Sequence, residues 1–333
     1  MHSLITGTDW VPIKVHPKLF RLTCKLSAVI LLSSDAARDD RWLEFEDEYI
    51  NNALSYITAL KSWPKFLRPL VYRHVKGYDI LQQQWATGQN IIKKFLDQKK
   101  AQGWEPLQKP PSFFDYVSSQ NKNLPVDDHV SMQITMFIAG VHTSAATATN
   151  ALYDAAVDWD QMREIQKEVR ETYRSCSGNF TRQGLNQMVK LDSFLKEVSR
   201  FSSPDLTTFA RKSSSSITLS NGFRVPNGAK LEVATGAIYR DEQLYKDPLS
   251  FKALRFYEMR QGENAQTKHQ WTSVSRRDLD WGYGRHACPG RYMADITVKL
   301  IMIELFLHYE FKSLPGQGRH PNIEFDGQVC SDP

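Results

Sequence analysis

One cysteine in a glycine-rich loop is the strongest chemical signal in this sequence. Cys288 lies in the stretch WGYGRHACPGR (281–291), directly before an apolar helical pattern. Gly282 and Gly284 permit backbone angles and close approaches that a Cβ would hinder, and Gly290 lets a helix begin close to a flat ligand. This arrangement predicts a loop that presents a thiolate to a metal ion.

Arg285 and His286 come shortly before the cysteine and can add positive charge beside the sulfur. Positive charge favours thiolate over thiol, and both side chains can donate hydrogen bonds to an anion. An aromatic residue stands seven positions before the cysteine, glycines stand six and four before it, a basic donor two before it and a glycine two after it. This spacing resembles the haem-binding loop of the cytochrome P450 family. The resemblance implies that Cys288 is the axial iron ligand of haem b (iron protoporphyrin IX). It also implies that the loop glycines and Trp281, in place of the usual phenylalanine, line the proximal face.

The residues alone leave other roles for the cysteines open. A buried free thiol is the common state of a cysteine in a reducing compartment. A zinc site is disfavoured because the four cysteines lie far apart and lack paired ligand spacing; they are Cys24, Cys176, Cys288 and Cys330. The glycine spacing around Cys288 favours the haem loop over both alternatives.

Length and charge place the chain among globular proteins. Its 333 residues are 41% hydrophobic, which is enough for one large domain or two smaller ones. The 42 basic and 37 acidic residues give a net charge of +5 with interspersed signs, which argues against nucleic-acid binding. The longest early apolar run, 26–32, is too short for a bilayer span of about 20 residues, and no signal peptide is evident.

The periodicity of apolar residues predicts a mainly α fold with a small β portion. Helical spacing recurs in five stretches besides the long helix discussed next: 42–63, 78–95, 160–174, 185–201 and 292–307. From residue 207, short extended runs separated by Asn-Gly turns predict a small antiparallel sheet. A linker is expected at 102–112 and a polar coil at 260–279.

A long, largely apolar helix is predicted from a cap at Asp127 or Asp128 to about residue 153. It contains the sequence AGVHT (139–143), in which Gly140 weakens helix regularity and opens room for a ligand. The resemblance places this segment on the distal face of the haem, where Thr143 helps deliver protons during oxygen activation. His142 stands where the family usually has an acidic residue. It either relays protons or is a hydrogen-bonded structural residue.

Three charged residues match a structural feature of the same family. Glu197 and Arg200 lie three residues apart and therefore share a helix face, where an exposed pair contributes little stability. Together with Arg255, in the later segment FKALRF (251–256), they are similar to the family's buried Glu-Arg pair that a second arginine completes. The resemblance implies that the three residues support the cysteine loop.

The resemblance also suggests which residues bind the haem propionates. Arg211 follows the helix that carries Glu197, at a position where the family commonly has a basic residue near a propionate. His286 is the second candidate. From the residues alone, a solvent-facing role for Arg211 is equally open.

Matching motifs in the expected order span about half of the chain and imply one P450-like domain over 1–333. Its parts are a helical region (1–205), a small β region with coil (206–280), and the haem-binding loop with its following helix (281–310). Full-length family members begin earlier, so the resemblance implies a P450-like fold that lacks its N-terminal part, including the membrane anchor.

The resemblance implies a haem-thiolate monooxygenase that oxidises an apolar small molecule, an intermediate of fungal secondary metabolism. Electrons would come from NADPH-cytochrome P450 reductase, and family members work on the cytoplasmic side of the endoplasmic reticulum membrane. Two other readings stay open. One is a truncated, non-catalytic haem-binding remnant or pseudoenzyme, and the other is a thiolate-haem isomerase that needs no reductase.

Overall fold

The structure is a computed structural model that describes residues 10–33, 39–101, 112–121, 123–325 and 328–331. The linker predicted at 102–112 lies outside the described residues except for Ser112, and the side chain of Cys330 is also outside them. Contacts between Cα atoms divide the chain into two compact units, one of residues 20–142 and one formed by the rest. The single-domain organisation expected from the sequence stays a prediction.

Helices build the first unit, residues 20–142. Their bounds are α1 (Val15–Leu31, which enters the unit at Phe20), α2 (Asp40–Lys61), α3 (Arg68–Val71) with a 3-10 turn (Tyr72–His74), α4 (Tyr78–Ala101), α5 (Phe113–Gln120) and α6 (Val126–Phe137). The core centres on Trp42, which is fully buried and meets Phe137 edge-on at 6.0 Å between ring centroids. Gly88 on α4 faces Phe45, and a Cβ there would lie only 2.7 Å from the ring. Glycine at this position therefore permits the close packing of α2 and α4.

The predicted long helix is interrupted at one point. It consists of α6, a π-helical turn over Ile138–His142 and α7 (Thr143–Val157), so the irregularity expected at Gly140 is present. The expected cap is wrong, because the N-cap is Pro125. Asp127 lies in the first turn, where its carboxylate accepts hydrogen bonds from Trp85 Nε1 (2.9 Å) and Gln89 Nε2 (2.6 Å).

The second unit packs helices around α7. Besides α7 it contains α8 (Trp159–Ser175), α9 (Arg182–Gln187), α10 (Val189–Phe201), α11 (Thr235–Ile238), α12 (Arg255–Met259) and α13 (Arg291–His308). Both α10 and α13 pack against α7, whose fully buried Ala145, Ala148 and Ala151 allow close approach. The helix expected over 185–201 is divided at Met188 into α9 and α10.

Three small antiparallel pairs complete the described fold. β1 (Thr208–Lys212) pairs with β4 (Lys230–Val233), β2 (Ile217–Thr218) with β3 (Arg224–Val225), and β5 (Asn322–Phe325) with β6 (Gln328–Ser331). The mainly α fold with a small β portion is thereby confirmed. Among the described helices, none combines the length and apolar character that a bilayer span requires.

Candidate functional site

The cysteine loop, residues 281–290, is closed by a main-chain hydrogen bond between its two ends. The amide of Cys288 donates to the carbonyl of Trp281 at 2.6 Å, and a 3-10 turn over Gly284–His286 lies between them. Gly282 has φ +72°, and a Cβ there would lie 3.1 Å from the carbonyl oxygen of His286. Gly284 also adopts a left-handed conformation, with φ +64°. Both glycines are therefore required by the backbone of the loop, as their spacing suggested.

The Cys288 thiol is free and half-buried at the end of this loop. Arg285 and His286 are exposed, and the loop contains no carboxylate. The following helix, α13, begins at Arg291, which donates from Nη1 to the Cys288 carbonyl at 2.8 Å. One free thiol beside exposed basic side chains would suit a single bond to the iron of an anionic cofactor such as haem. Across the described residues, no three His, Cys, Asp or Glu side chains gather as a multi-ligand metal site would need.

The strand β1 brings Arg211 to the neighbourhood of the loop. Phe209 on β1 lies 6.4 Å from Tyr283 of the cysteine loop, between ring centroids. Arg211 lies over the Phe209 ring at 5.3 Å and donates from Nη1 to the Ala210 carbonyl at 2.8 Å. Its side chain is exposed, so a guanidinium is available beside the loop.

The structure brings Glu197, Arg200 and Arg255 together in the interior. Glu197 on α10 is fully buried, and it accepts from Arg200 Nε (2.8 Å) and Nη2 (2.9 Å). Arg255 at the start of α12 donates from Nε to both carboxylate oxygens at 3.0 Å. The amide of Lys252 adds a fourth donor at 2.9 Å. The buried charge of Glu197 is thus compensated by two cations and a full set of hydrogen bonds.

The remaining guanidinium nitrogens bind the coil that precedes α12. Arg200 donates from Nη1 to the carbonyls of Tyr239 (2.7 Å) and Pro248 (2.8 Å). Arg255 donates from Nη2 to the carbonyl of Ser250 at 2.7 Å. These carbonyls belong to a segment without regular strands, so the arginines supply the donors that a sheet or helix would otherwise provide.

A second buried ionic cluster lies one turn earlier on α10. Asp192 accepts from Lys299 Nζ of α13 (2.8 Å), from Arg260 Nη2, and from the amide of Trp271 (3.0 Å). Burial raises the pKa of Asp192, but the Lys299 and Arg260 cations outweigh burial and hold the pKa below its usual value. Lys299 also pairs with Asp295 at 2.7 Å, one turn earlier on α13. This cluster joins α10 to the helix that follows the cysteine loop.

Trp271 connects the second cluster to the cysteine loop. Its indole Nε1 donates to Ser199 Oγ of α10 at 2.8 Å, and its carbonyl accepts from Trp281 Nε1 at 2.6 Å. Nearby, Lys196 of α10 pairs with Asp278 at 2.8 Å. The coil before the loop is therefore attached to α10 at several points.

These attachments were not expected from the sequence. The available signal is a charged residue inside an apolar helical run, and Lys299 within DITVKLIMIELF (295–306) is the clearest case. Asp192 among the apolar positions of α10 is another. Such residues are almost never fully buried unless they are paired, so each predicts a partner without identifying it.

Comparison with known proteins assigns this chain to a family. The family model described as Cytochrome P450 matches residues 5–333. The chain belongs to the cytochrome P450 family.

Several fungal P450s resemble this chain. A cytochrome P450 monooxygenase of Emericella nidulans is 28% identical over 331 residues, which are 98% of this chain and 62% of the relative. The monooxygenase braC of Annulohypoxylon truncatum is 29% identical over 98% of this chain and 66% of its own length. Ent-kaurene oxidase P450-4 of Gibberella fujikuroi is 29% identical over 98% of this chain and 64% of its own length. The chain thus spans 62% to 66% of the length of these relatives.

A solved structure supports the P450 fold. The retinoic-acid-bound cyanobacterial CYP120A1 aligns with a TM-score of 0.69 at 19% identity, over 95% of this chain and 66% of that one. At this identity the likeness concerns the fold alone. It confirms the P450-like fold that the cysteine loop suggested.

The predicted distal residues of this P450 lie at the interruption of the long helix. His142 ends the π-helical turn, and its ring packs on Phe20 at 4.9 Å between centroids. Thr143 is exposed at the first position of α7, and its carbonyl accepts from Thr147 Oγ1 at 2.9 Å. A π-helical turn directs these residues differently from a regular helix, and such turns are frequent at functional sites.

We expect Glu197→Ala to destabilise the fold strongly. Removing one partner of a buried, hydrogen-bonded ion pair leaves two guanidinium groups uncompensated and costs about 3–5 kcal/mol. Urea unfolding measures the free energy of unfolding. Asp160→Ala is a matched control, because its pair with Arg163 is largely exposed and contributes about 0–1 kcal/mol. Similar small losses in both variants would contradict a structural role for Glu197.

The carboxyl group of Asp280, one residue before the cysteine loop, makes stability depend on pH. Burial raises its pKa from 3.8 to about 6, against the hydrogen bond from Tyr239 and the charge of Lys196. The folded state therefore binds more protons than the unfolded state between these values. The contribution of the Asp280 carboxyl to stability is complete below pH 3.8 and is lost as the pH rises to about 6.

We expect Asp280→Asn to remove this loss. Relative to the wild type, the variant should gain stability between pH 4 and pH 7, by at most about 3 kcal/mol, because one pKa unit is about 1.4 kcal/mol. Thermal unfolding over this pH range measures the difference. A stability difference that stays constant with pH would show that the Asp280 carboxyl has an ordinary pKa.

Proposed function

We propose that this chain is a haem-thiolate monooxygenase. The reaction inserts one atom of dioxygen into an apolar small molecule, an intermediate of fungal secondary metabolism. The observation that carries the proposal is the free Cys288 thiol, held at the end of a closed loop among exposed cations. A relative named ent-kaurene oxidase supports oxidation as the reaction class.

Cys288 would hold the haem, and Arg211 and His286 would bind its propionates. When bound, haem b with a thiolate ligand supplies the activation of dioxygen. Both proposed propionate donors are exposed, so their N–H groups are available to an anionic group. Trp281, Gly282, Gly284 and Gly290 would shape the surface that the macrocycle covers.

Thr143 and His142 would handle protons on the distal side. The Thr143 hydroxyl can hold a proton and pass it on, since a hydroxyl both donates and accepts. The neighbouring imidazole is the side chain whose ordinary pKa suits proton transfer near neutral pH. The roles of these residues are assigned from their place at the π-helical turn and from the family resemblance.

Electrons would come from NADPH-cytochrome P450 reductase at the endoplasmic reticulum membrane. The exposed Arg285 gives the surface beside Cys288 a positive charge that suits an acidic redox partner. Such charge complementarity mainly accelerates association and weakens with salt.

The connection between α2 and α4, residues 62–77, supports membrane association. It exposes Trp63, Phe66 (77% exposed) and Leu70 (72% exposed). The same stretch of sequence carries exposed cations, namely Lys65, Arg73 and Lys76, and Lys61 directly precedes it. Apolar side chains among cations suit the interface of an anionic bilayer.

The absorption spectrum of the reduced protein under carbon monoxide tests the proposed ligand. We expect the wild type to show the strongly red-shifted Soret band of thiolate ligation and Cys288→Ala to lose it. Cys176→Ala should keep the band, because Cys176 lies at the end of α8, outside the cysteine loop. A wild type without the band would favour the non-catalytic remnant. Turnover without NADPH and reductase would favour the isomerase.

Vesicle flotation tests the membrane surface. We expect the chain to bind vesicles that contain phosphatidylserine, and Phe66→Ser with Leu70→Ser to reduce the bound fraction at least tenfold. Burying two large apolar side chains contributes about 1.5–3 kcal/mol each, which exceeds the 1.4 kcal/mol of a tenfold change. Leu249→Ser is a control, since Leu249 is equally exposed (73%) but lies outside the connection. Equal binding of the control and the double variant would contradict this surface.

A further inference from the structure

The indole N–H of Trp281 joins the cysteine loop to the interior. It donates to the carbonyl of Trp271 at 2.6 Å, and the two rings lie 5.4 Å apart at an angle of 58°. Packing of the two rings alone would not require the indole N–H to point at a carbonyl oxygen. The short N···O distance shows that it does, and that the contact is a hydrogen bond. Phenylalanine at position 281 would fill most of the same space without the donor.

The acceptor of this bond is itself held in place. Trp271 is 1% exposed and is attached to α10 twice, through its amide to Asp192 and through its indole to Ser199. Asp192 in turn bonds Lys299 of α13, so the acceptor belongs to a buried cluster with charges of both signs. The Trp271 carbonyl is therefore a fixed point relative to α10.

The same tryptophan also holds the cysteine. The carbonyl of Trp281 accepts from the amide of Cys288 at 2.6 Å. One residue thus contacts the fixed carbonyl of Trp271 with its side chain and Cys288 with its main chain. Two sp³ carbons, Cα and Cβ, separate these two polar groups, so the connection transmits position rather than polarisation.

We infer that Trp281 is a positioning residue whose indole N–H fixes Cys288 relative to α10. This inference rests on the proposed function for its consequence, because the position of Cys288 matters most if its sulfur ligates haem. Loss of the N–H leaves the packing of an aromatic ring in place but frees the end of the loop that receives the Cys288 amide. The Trp271 carbonyl then also lacks a partner in a buried setting.

Amide hydrogen exchange of the whole chain, followed by NMR, tests the connection in Trp281→Phe. We expect the Cys288 amide to exchange at least about tenfold faster than in the wild type, since one hydrogen bond contributes about 1 kcal/mol and more when a buried partner is orphaned. The amide of Met302, inside α13, reports global opening, so its rate shows how much overall stability each variant loses. A second variant places β-(3-benzothienyl)alanine at position 281. It keeps the bicyclic shape, lacks only the donor, and should behave like Trp281→Phe.

Ser199→Ala is the matched control. It removes another hydrogen bond of Trp271, at 2.8 Å, but keeps the carbonyl that receives the Trp281 indole. We expect the Cys288 amide to exchange less than about threefold faster than in the wild type in this variant. Unchanged exchange at Cys288 in both Trp281 variants would overturn the inference. Equal acceleration of the Cys288 amide in Ser199→Ala would overturn it as well.

A second readout concerns the thiolate. In the haem-loaded chain, we compare how fast the red-shifted Soret band of the reduced carbon monoxide complex decays with time. The band should decay faster in Trp281→Phe than in Ser199→Ala. Equal rates of loss would contradict a role in holding the ligand. A wild type that binds no haem would refute the proposed function, whereas the exchange experiment would still decide the role of the indole N–H.

Discussion

The structure depends on buried charge compensation along one helix. α10 is enclosed by α7, α8 and α12, yet its buried residues include Asp192, Lys196, Glu197 and Arg200. Each of these charges finds an opposite charge and further donors or acceptors in the interior. Several of these partners lie between β4 and the cysteine loop, where α11 and α12 are short and the rest of the chain forms turns and coil. α10 therefore acts as the scaffold on which an otherwise irregular segment is ordered.

An apolar helix could not order this coil in the same way. Between α11 and the cysteine loop, the described chain forms turns and one short helix, α12, so many main-chain groups need partners from side chains. Two arginines and two carboxylates supply several such partners at fixed directions. Ion pairs of this kind add little net stability over well-packed apolar residues, but they penalise alternative arrangements heavily. The benefit is a defined position for the loop that carries Cys288.

The sequence predicted the regular elements and the motifs well, for identifiable reasons. Helical periodicity located the main helices, and the glycine spacing located the cysteine loop, because both signals are local. The triad of Glu197, Arg200 and Arg255 was identified only through the family resemblance. The contact of Asp192 with Lys299 joins residues 107 positions apart, and no local pattern encodes such a distance.

Other differences have physical causes that a single sequence does not reveal. The N-cap predicted at Asp127 or Asp128 was wrong. Side chains of α4 donate hydrogen bonds to the Asp127 carboxylate, which therefore binds α4 instead of capping its own helix. The hydrogen bond of Trp281 could not be foreseen either. The sequence shows only that tryptophan stands there in place of the usual phenylalanine, whereas the acceptor of its indole N–H, the Trp271 carbonyl, is brought there by the fold.

Amide hydrogen exchange in the wild-type chain measures whether α10 orders the coil and the cysteine loop. The informative amides lie outside regular secondary structure. Lys252 donates to Glu197, Trp271 to Asp192, and Cys288 to Trp281. If α10 orders these segments, we expect the three amides to be protected as strongly as the interior of α10. Exchange as fast as in the exposed turn at 221–223 would contradict it.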